Sequence, residues 1–215
     1  YAGMVESLDD AVGRVMQTLE QLDLERNTVV AFFSDNGGLV HASHVGDHTP
    51  ATSNKPLSSG KGFLKEGGIR VPLIIKWPGV ARTDAVCHQP VHGCDLFLTF
   101  CAAAKAKVAD LPIRGSVDGV DLTPLLRDPD RPAGERPLFW HYPHFSSMGG
   151  RPSAALRIGK WKLIEHFETD TVELYDLEQD MGETENLAEE LTSTAASLRQ
   201  RAVADAMRAG VSLAP

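Results

Sequence analysis

Two short groups of polar residues in this chain have the types and setting for chemistry on an anion. The first is Asp35-Asn36, followed at once by Gly37-Gly38. A carboxylate and a side-chain carbonyl offer only hard oxygen to a cation, which suits Ca²⁺ or Mg²⁺ better than Zn²⁺. The second is Lys61, set between Gly60 and Gly62. Its glycine neighbours leave the ammonium uncrowded and able to meet an anion as a point charge. A divalent cation and a lysine facing one crevice would hold a tetrahedral oxyanion. At about 4 Å and an effective dielectric of about 20, each unit charge contributes on the order of 4 kcal/mol, so the metal would dominate and the lysine assist. Asp, Asn and Gly also favour ordinary turns, so the surrounding elements must decide what this group is.

The run Thr28-Val29-Val30-Ala31-Phe32-Phe33 just upstream is apolar and rich in β-branched and aromatic residues. It reads as a strand buried on both faces that delivers Asp35 and Asn36 at its carboxyl end, where open α/β sheets place their ligands. Before it, Met4, Leu8, Val12, Val15, Leu19 and Leu22 recur at steps of three and four. That spacing predicts an amphipathic helix over residues 1–22 with one buried stripe. Residues 39–62 show no periodicity, and a loop of that length in a compact chain is more often functional than idle. Leu73-Ile74-Ile75-Lys76-Trp77 reads as a second buried strand, closed by Pro78-Gly79. A short apolar helix over 94–104 and a proline-rich link over 111–132 follow. After Pro132 the pattern changes to strands at 138–142, 154–158, 160–164 and 172–175, with a tight turn at Gly159. Leu187, Leu191, Ala195, Leu198, Ala202 and Ala206 mark a closing helix, with Asn186 as its expected N-cap, Glu189 three residues on, and Gly210 as its stop.

Composition bounds the function. The chain has 215 residues, 42% hydrophobic and 23% charged, which is globular and long enough for a large domain plus a small one. A net charge of -8 argues against a nucleic-acid surface, which needs clustered Lys and Arg, but leaves room for a locally positive anion site. No apolar run approaches the roughly 20 residues that span a bilayer. The start at Tyr1 rather than Met reads as a mature form or a fragment. Three cysteines, Cys87, Cys94 and Cys101, cannot all pair with one another, and they read as buried small hydrophobes. Without a Cys-x-x-Cys pair, a structural zinc site is not expected.

The motifs, taken together, carry a resemblance. Tyr1-x-x-Met4, Leu8-Asp9, Val12-Gly13-Arg14, Asn27-Thr28, Ser34-Asp35-Asn36-Gly37-Gly38, Asn54-x-Pro56-Leu57, Gly60-Lys61-Gly62 and Glu66-Gly67-Gly68-Ile69-Arg70-Val71-Pro72 closely resemble the type I sulfatases, arylsulfatase-like members of the alkaline phosphatase superfamily. The resemblance continues through Asp118-Gly119-Val120-Asp121-Leu122, Arg157-x-Gly159-x-Trp161-Lys162-Leu163, Glu173-Leu174-Tyr175-Asp176-Leu177 and Glu183-x-x-Asn186-Leu187-Ala188. It implies an α/β fold: residues 1–132 as the C-terminal part of an alkaline-phosphatase-like α/β/α sheet domain, and 133–215 as a small α+β subdomain of antiparallel sheet plus one C-terminal helix. It implies hydrolysis of a small-molecule or carbohydrate sulfate ester, with Asp35 and Asn36 as two ligands of Ca²⁺. Lys61 matches the lysine that contacts the sulfate and steadies the departing oxygen. Export to the periplasm, the extracellular space or the lysosome is implied by the same resemblance.

The departures are informative. The family's nucleophile is a formylglycine made within a Cys/Ser-x-Pro/Ala-x-Arg motif, which is absent here. Cys101-Ala102-Ala103-Ala104-Lys105 only approaches it, with Lys for Arg and in a helical setting. The other metal aspartates of the family are missing too, so the chain reads as the C-terminal portion of a sulfatase, expected to be inactive and a poor metal binder alone. Other candidates are weaker. His41, His44 and His48 read as surface or substrate-side histidines. His141 and His144 flank Tyr142-Pro143 and either border the crevice, touching a sugar or aryl sulfate, or pack within the strand. Glu66 and Arg70 are expected to pair and shape the loop, Asp118 and Asp121 to be structural, and the acids from Glu178 to Glu190 to be solvated. Two alternatives stay open: a phosphoesterase of the same superfamily, disfavoured because zinc-binding relatives show Asp-His where this chain has Asp35-Asn36, and a non-catalytic module that binds a sulfated ligand.

Overall fold

The computed structural model describes residues 1–40, 52–113, 117–132 and 134–210, so His41, His44 and His48 lie outside the described residues. By contacts the chain divides into two units, Tyr1–Phe32 with Leu73–Gly134, and Phe33–Pro72 with Glu135–Pro215.

In the first unit, helix α1 (Ala2–Gln21) forms where the apolar spacing predicts it, and strands β1 (Val30–Phe33) and β2 (Leu73–Lys76) pair in a two-stranded sheet. Burial departs from expectation. No residue of α1 is buried, and Met4, Leu8 and Val15 are 74%, 52% and 56% exposed. Phe32, Phe33 and Ile74 are exposed as well, so β1 is not covered on both faces. The physical reason is layer count: covering both faces of an α/β sheet takes helices on each side, and the described elements of this unit do not provide them.

Helix α3 (Asp95–Ala103) corrects the reading of the cysteines. Cys87 and Cys94 are exposed and Cys101 is half-buried. The buried residues of α3 are Asp95 and Thr99, which hold the Asp118–Leu122 motif in place. The Asp95 carboxylate accepts from His92 N at 2.7 Å and Val120 N at 2.9 Å. Thr99 Oγ1 accepts from Leu122 N at 2.9 Å. Polar side chains win these positions because the turn they face presents backbone N–H groups that need acceptors. Asp121 is structural as expected, its Oδ1 accepting from Thr123 N at the start of α4 (Thr123–Arg127).

The second unit holds a one-turn helix α2 (Glu66–Ile69) and an antiparallel meander in the order β3-β4-β5-β6. The strands are β3 (Leu138–Tyr142), β4 (Ser153–Ile158), β5 (Trp161–His166) and β6 (Thr171–Asp176). Ile158 pairs with Trp161, and Gly159 in the intervening turn takes φ +56, the left-handed region that favours glycine. Register aligns Leu156, Leu163 and Leu174 across three strands. These leucines, completely buried, pack on Ala195, Leu198 and Ala202 of α5 (Thr192–Arg208). Alternation then sends Ala155, Ile164 and Tyr175 to the other face, where Leu64 and Trp140 join them. A sheet buried on both faces explains why β4 and β5 lack a clean apolar-polar alternation.

α5 starts later than expected. Asn186 does not cap it. Its Oδ1 instead accepts from Leu174 N at 2.9 Å and Ala188 N at 3.0 Å, tying the following turn to β6, while Leu187 and Leu191 reach the core from outside the helix.

Candidate active site

The Asp35-Asn36-Gly37-Gly38 turn begins one residue after β1, and backbone hydrogen bonds stitch it to two later segments. Ser34 N donates to Pro72 O at 3.3 Å, Gly37 N to Gly68 O at 2.9 Å, and Lys61 N to Gly38 O at 3.1 Å. Asn54 fastens the same point twice, its Oδ1 accepting from Gly38 N at 3.1 Å and its Nδ2 donating to Gly38 O at 2.9 Å. The glycines permit this closeness. A Cβ on Gly37 would lie 1.7 Å from Gly67 O, and one on Gly60 would lie 2.3 Å from Gly38 O. Such separations leave no room for any side chain. The structure thus brings the Lys61 backbone to the Asp35-Asn36 turn, as the sequence spacing alone does not reveal.

Within the turn, Asn36 N donates to Asp35 Oδ1 at 2.9 Å, and Asn36 Nδ2 donates to Gly37 O at 3.0 Å. With its NH₂ engaged on Gly37 O, the Asn36 amide keeps its Oδ1 as an acceptor. Asp35 is exposed. These oxygens fit a hard divalent cation in type. In number they are two of the six to eight that Ca²⁺ takes, and no group of three or more His, Cys, Asp or Glu that could hold a metal occurs among the described residues.

The two candidate histidines part company. His141 alternates onto the α5 face of the sheet with Phe139, stacks on it at 6.4 Å and lies 5.8 Å from Phe167. It is packed among aromatics on the face opposite Leu64. His144 is exposed and meets Tyr142 edge-on at 5.6 Å. It opens a loop that seats against the residue after Lys61: a Cβ on Gly150 would lie 1.8 Å from Gly62 O.

Beside that contact is a cleft of about 240 Å³ lined by Ser59, Gly62, Phe63, Lys65, Arg151 and Glu173, among others. Its floor is a charged cluster. Lys65 Nζ lies 2.8 Å from Glu173 Oε2 and donates to Tyr175 Oη at 2.6 Å. Tyr175 Oη donates to Glu173 Oε2 at 2.7 Å, and His166 Nε2 lies 3.0 Å from Oε1. Burial works against the ionised Glu173, but the hydrogen bonds from His166, Lys65 and Tyr175 outweigh it and hold the carboxyl down at about 2. Burial, and then the adjacent Glu173 carboxylate, push the Tyr175 phenol up.

Sequence reasoning missed a second cluster. Glu66 does pair with Arg70, at 3.6 Å, but its closer partner is Lys162 Nζ at 2.8 Å. Lys162 is 0% exposed and also lies 2.8 Å from Glu183 Oε1. Glu183 is therefore buried, correcting the expectation of a solvated acidic stretch. The readable signal was Lys162 itself, a charge one residue from a core leucine in a strand covered on both faces.

Known proteins agree with this architecture. The Sulfatase family matches residues 1–106, and the N-sulphoglucosamine sulphohydrolase C-terminal family matches residues 59–207. A sulfatase of Formosa agariphila is 35% identical over 205 residues, covering 88% of this chain and 35% of that protein. The steryl-sulfatase of Mus musculus is 37% identical over 142 residues, covering 66% of this chain and 22% of that protein. The solved structure of Ps i-CgsB in complex with k-i-k-neocarrahexaose superposes with a TM-score of 0.77 at 28% identity, covering 94% of this chain and 41% of that one. The chain thus spans about a third or less of the length of these curated relatives. The match of residues 59–207 to the N-sulphoglucosamine sulphohydrolase C-terminal family, with residues 1–106 matching the Sulfatase family, shows that this chain belongs to the type I sulfatases.

Proposed function

We propose that this chain supplies one side of a sulfate-ester hydrolase site, with Asp35 and Asn36 as ligands of a Ca²⁺ ion and Lys61 as the sulfate contact. The formylglycine nucleophile and the remaining metal ligands would come from residues outside this chain. A divalent cation bound there would draw charge from the sulfate oxygens. Lys61, donating from a loop whose backbone is fastened to Gly38, would hold the ester in place and neutralise charge developing on the departing alkoxide or phenoxide oxygen. Asp35 and Asn36 would hold the ion through a carboxylate and an amide oxygen, the Asn36 amide nitrogen being engaged on Gly37 O. His144, on the loop seated against Gly62, would face the alcohol part of the ester. The cleft beside Gly62, with Ser59, Lys65, Arg151 and Glu173 among its lining residues, suits a hydroxyl-rich alcohol. We therefore infer a sulfated carbohydrate as the substrate class. The complex of Ps i-CgsB with k-i-k-neocarrahexaose supports that choice.

The observation that carries the reading is the hydrogen bond from Lys61 N to Gly38 O at 3.1 Å, which joins the candidate anion-binding residue to the candidate metal turn. The test is Asp35→Ala and Lys61→Ala in a full-length sulfatase containing this chain. Each is expected to lower aryl sulfate turnover by roughly a hundredfold or more with the fold intact. Undiminished turnover by either variant would overturn the assignment.

A further inference from the structure

Glu183 joins two points of the chain that bracket Lys61. Its Oε2 accepts from Ser58 Oγ at 2.5 Å and from Glu66 N at 2.7 Å, on either side of Gly60-Lys61-Gly62. Its Oε1 faces Lys162 Nζ, which reaches Glu66 Oε1 as well. The carboxylate is delivered from a left-handed backbone position, φ +54, in a turn organised by Asp180, whose Oδ2 accepts from Thr184 N and Glu185 N. A non-glycine residue persists at such an angle only where its surroundings hold it there.

The need for this clamp follows from the loop it holds. Between Ser58 and Gly68 the chain packs backbone on backbone: a Cβ on Gly67 would lie 2.3 Å from Ser58 O, and one on Gly68 would lie 2.1 Å from Phe63 O. Glycine-rich chain of this kind has little side chain to bury and much conformational freedom to lose. Directional bonds to fixed charged groups supply what apolar packing does not. Lys162 and Arg157 lie on the sheet face that meets this segment, and the Arg157 guanidinium stands 3.7 Å from Glu66 Oε2. The same segment reaches the metal turn through Gly68 O and Gly37 N.

We propose that Glu183 and Lys162 are positioning residues, a buried ionic clamp that fixes the Lys61 loop against the Asp35-Asn36 turn. The inference rests on the sulfatase reading for the task of Lys61, but the clamp itself is tested without turnover. Amide hydrogen exchange on the full-length sulfatase compares wild type with Glu183→Gln and with Ser58→Ala, which leaves the buried charges untouched. Both variants are expected to raise exchange at Lys61 and Phe63 about tenfold or more while Leu156 and Leu163 in β4 and β5 stay protected. In the full-length sulfatase, Glu183→Gln is expected to lower kcat by about tenfold or more with a smaller change in KM, and Lys162→Arg to retain more activity than Lys162→Met. Unchanged exchange at Lys61 in both variants, or a rise spread equally over β4 and β5, overturns the clamp. If Lys61→Ala keeps full turnover while loop exchange rises as expected, the sulfatase assignment of Lys61 fails and the clamp stands. If Lys61→Ala is inactive while Glu183→Gln keeps wild-type exchange and turnover, the clamp alone fails.

Discussion

Replacing Glu173 with Gln tests the electrostatics of the cleft. Glu173 takes hydrogen bonds from His166, Lys65 and Tyr175, and together these overcome its burial and draw its carboxyl from an ordinary 4.5 to about 2. That difference corresponds to on the order of 3 kcal/mol favouring the folded state when the group is ionised. Because the folded value is depressed, the contribution is fully present above about 4.5 and is lost as pH falls through about 2. Glu173→Gln removes the charge and leaves the Lys65 ammonium facing a neutral amide. Urea unfolding of wild type and variant, followed by circular dichroism from about pH 7 to about pH 2.5, should show a stability gap of up to about 3 kcal/mol that is constant at neutral pH and narrows on acidification. Other carboxylates held low, such as Asp176 beside Lys160, titrate in both proteins and cancel in the difference. A gap that stays the same width down to about pH 2.5 would refute the argument that hydrogen bonds to the ionised form hold Glu173.

Other substitutions probe the remaining links. Leu163→Ala, which empties a completely buried position between Leu156 and Leu174, should cost about 2–5 kcal/mol in urea unfolding. Leu8→Ala, at a half-exposed position on α1, should change the stability of this chain by no more than about 0.5 kcal/mol. Gly37→Ala would drive a Cβ into Gly67 O, so it should raise amide exchange at Lys61 and sharply lower aryl sulfate turnover in the full-length sulfatase.

Much of the architecture was legible because it rests on local chemistry. The strand at 138–142, the hairpin around Gly159 and the strand ending at Tyr175 follow from β-branched and aromatic runs bounded by turn residues, and the structure has β3 to β6 there. Helix α1 follows from its spacing. Its exposure could not be read, because an apolar stripe states what a helix would bury and not whether a partner is present. The start of α5 was misplaced for a related reason. Leu187 and Leu191 continue the helical spacing, but Asn186 gains more by accepting from Leu174 N than by capping.

By itself the sequence determined most of the elements, the family and the residue types of the proposed site, since Asp35-Asn36 with hard oxygens and Lys61 between glycines carry their chemistry locally. Tertiary structure decided which residues meet. Only the fold brings Lys61 N to Gly38 O, turns His141 among aromatics, and sinks Lys162 between Glu66 and Glu183. The reason is distance along the chain. A buried charge is tolerable only beside its partner, and partners carried by a loop, a strand and a later turn become neighbours when the sheet and the loop on its second face have closed over them.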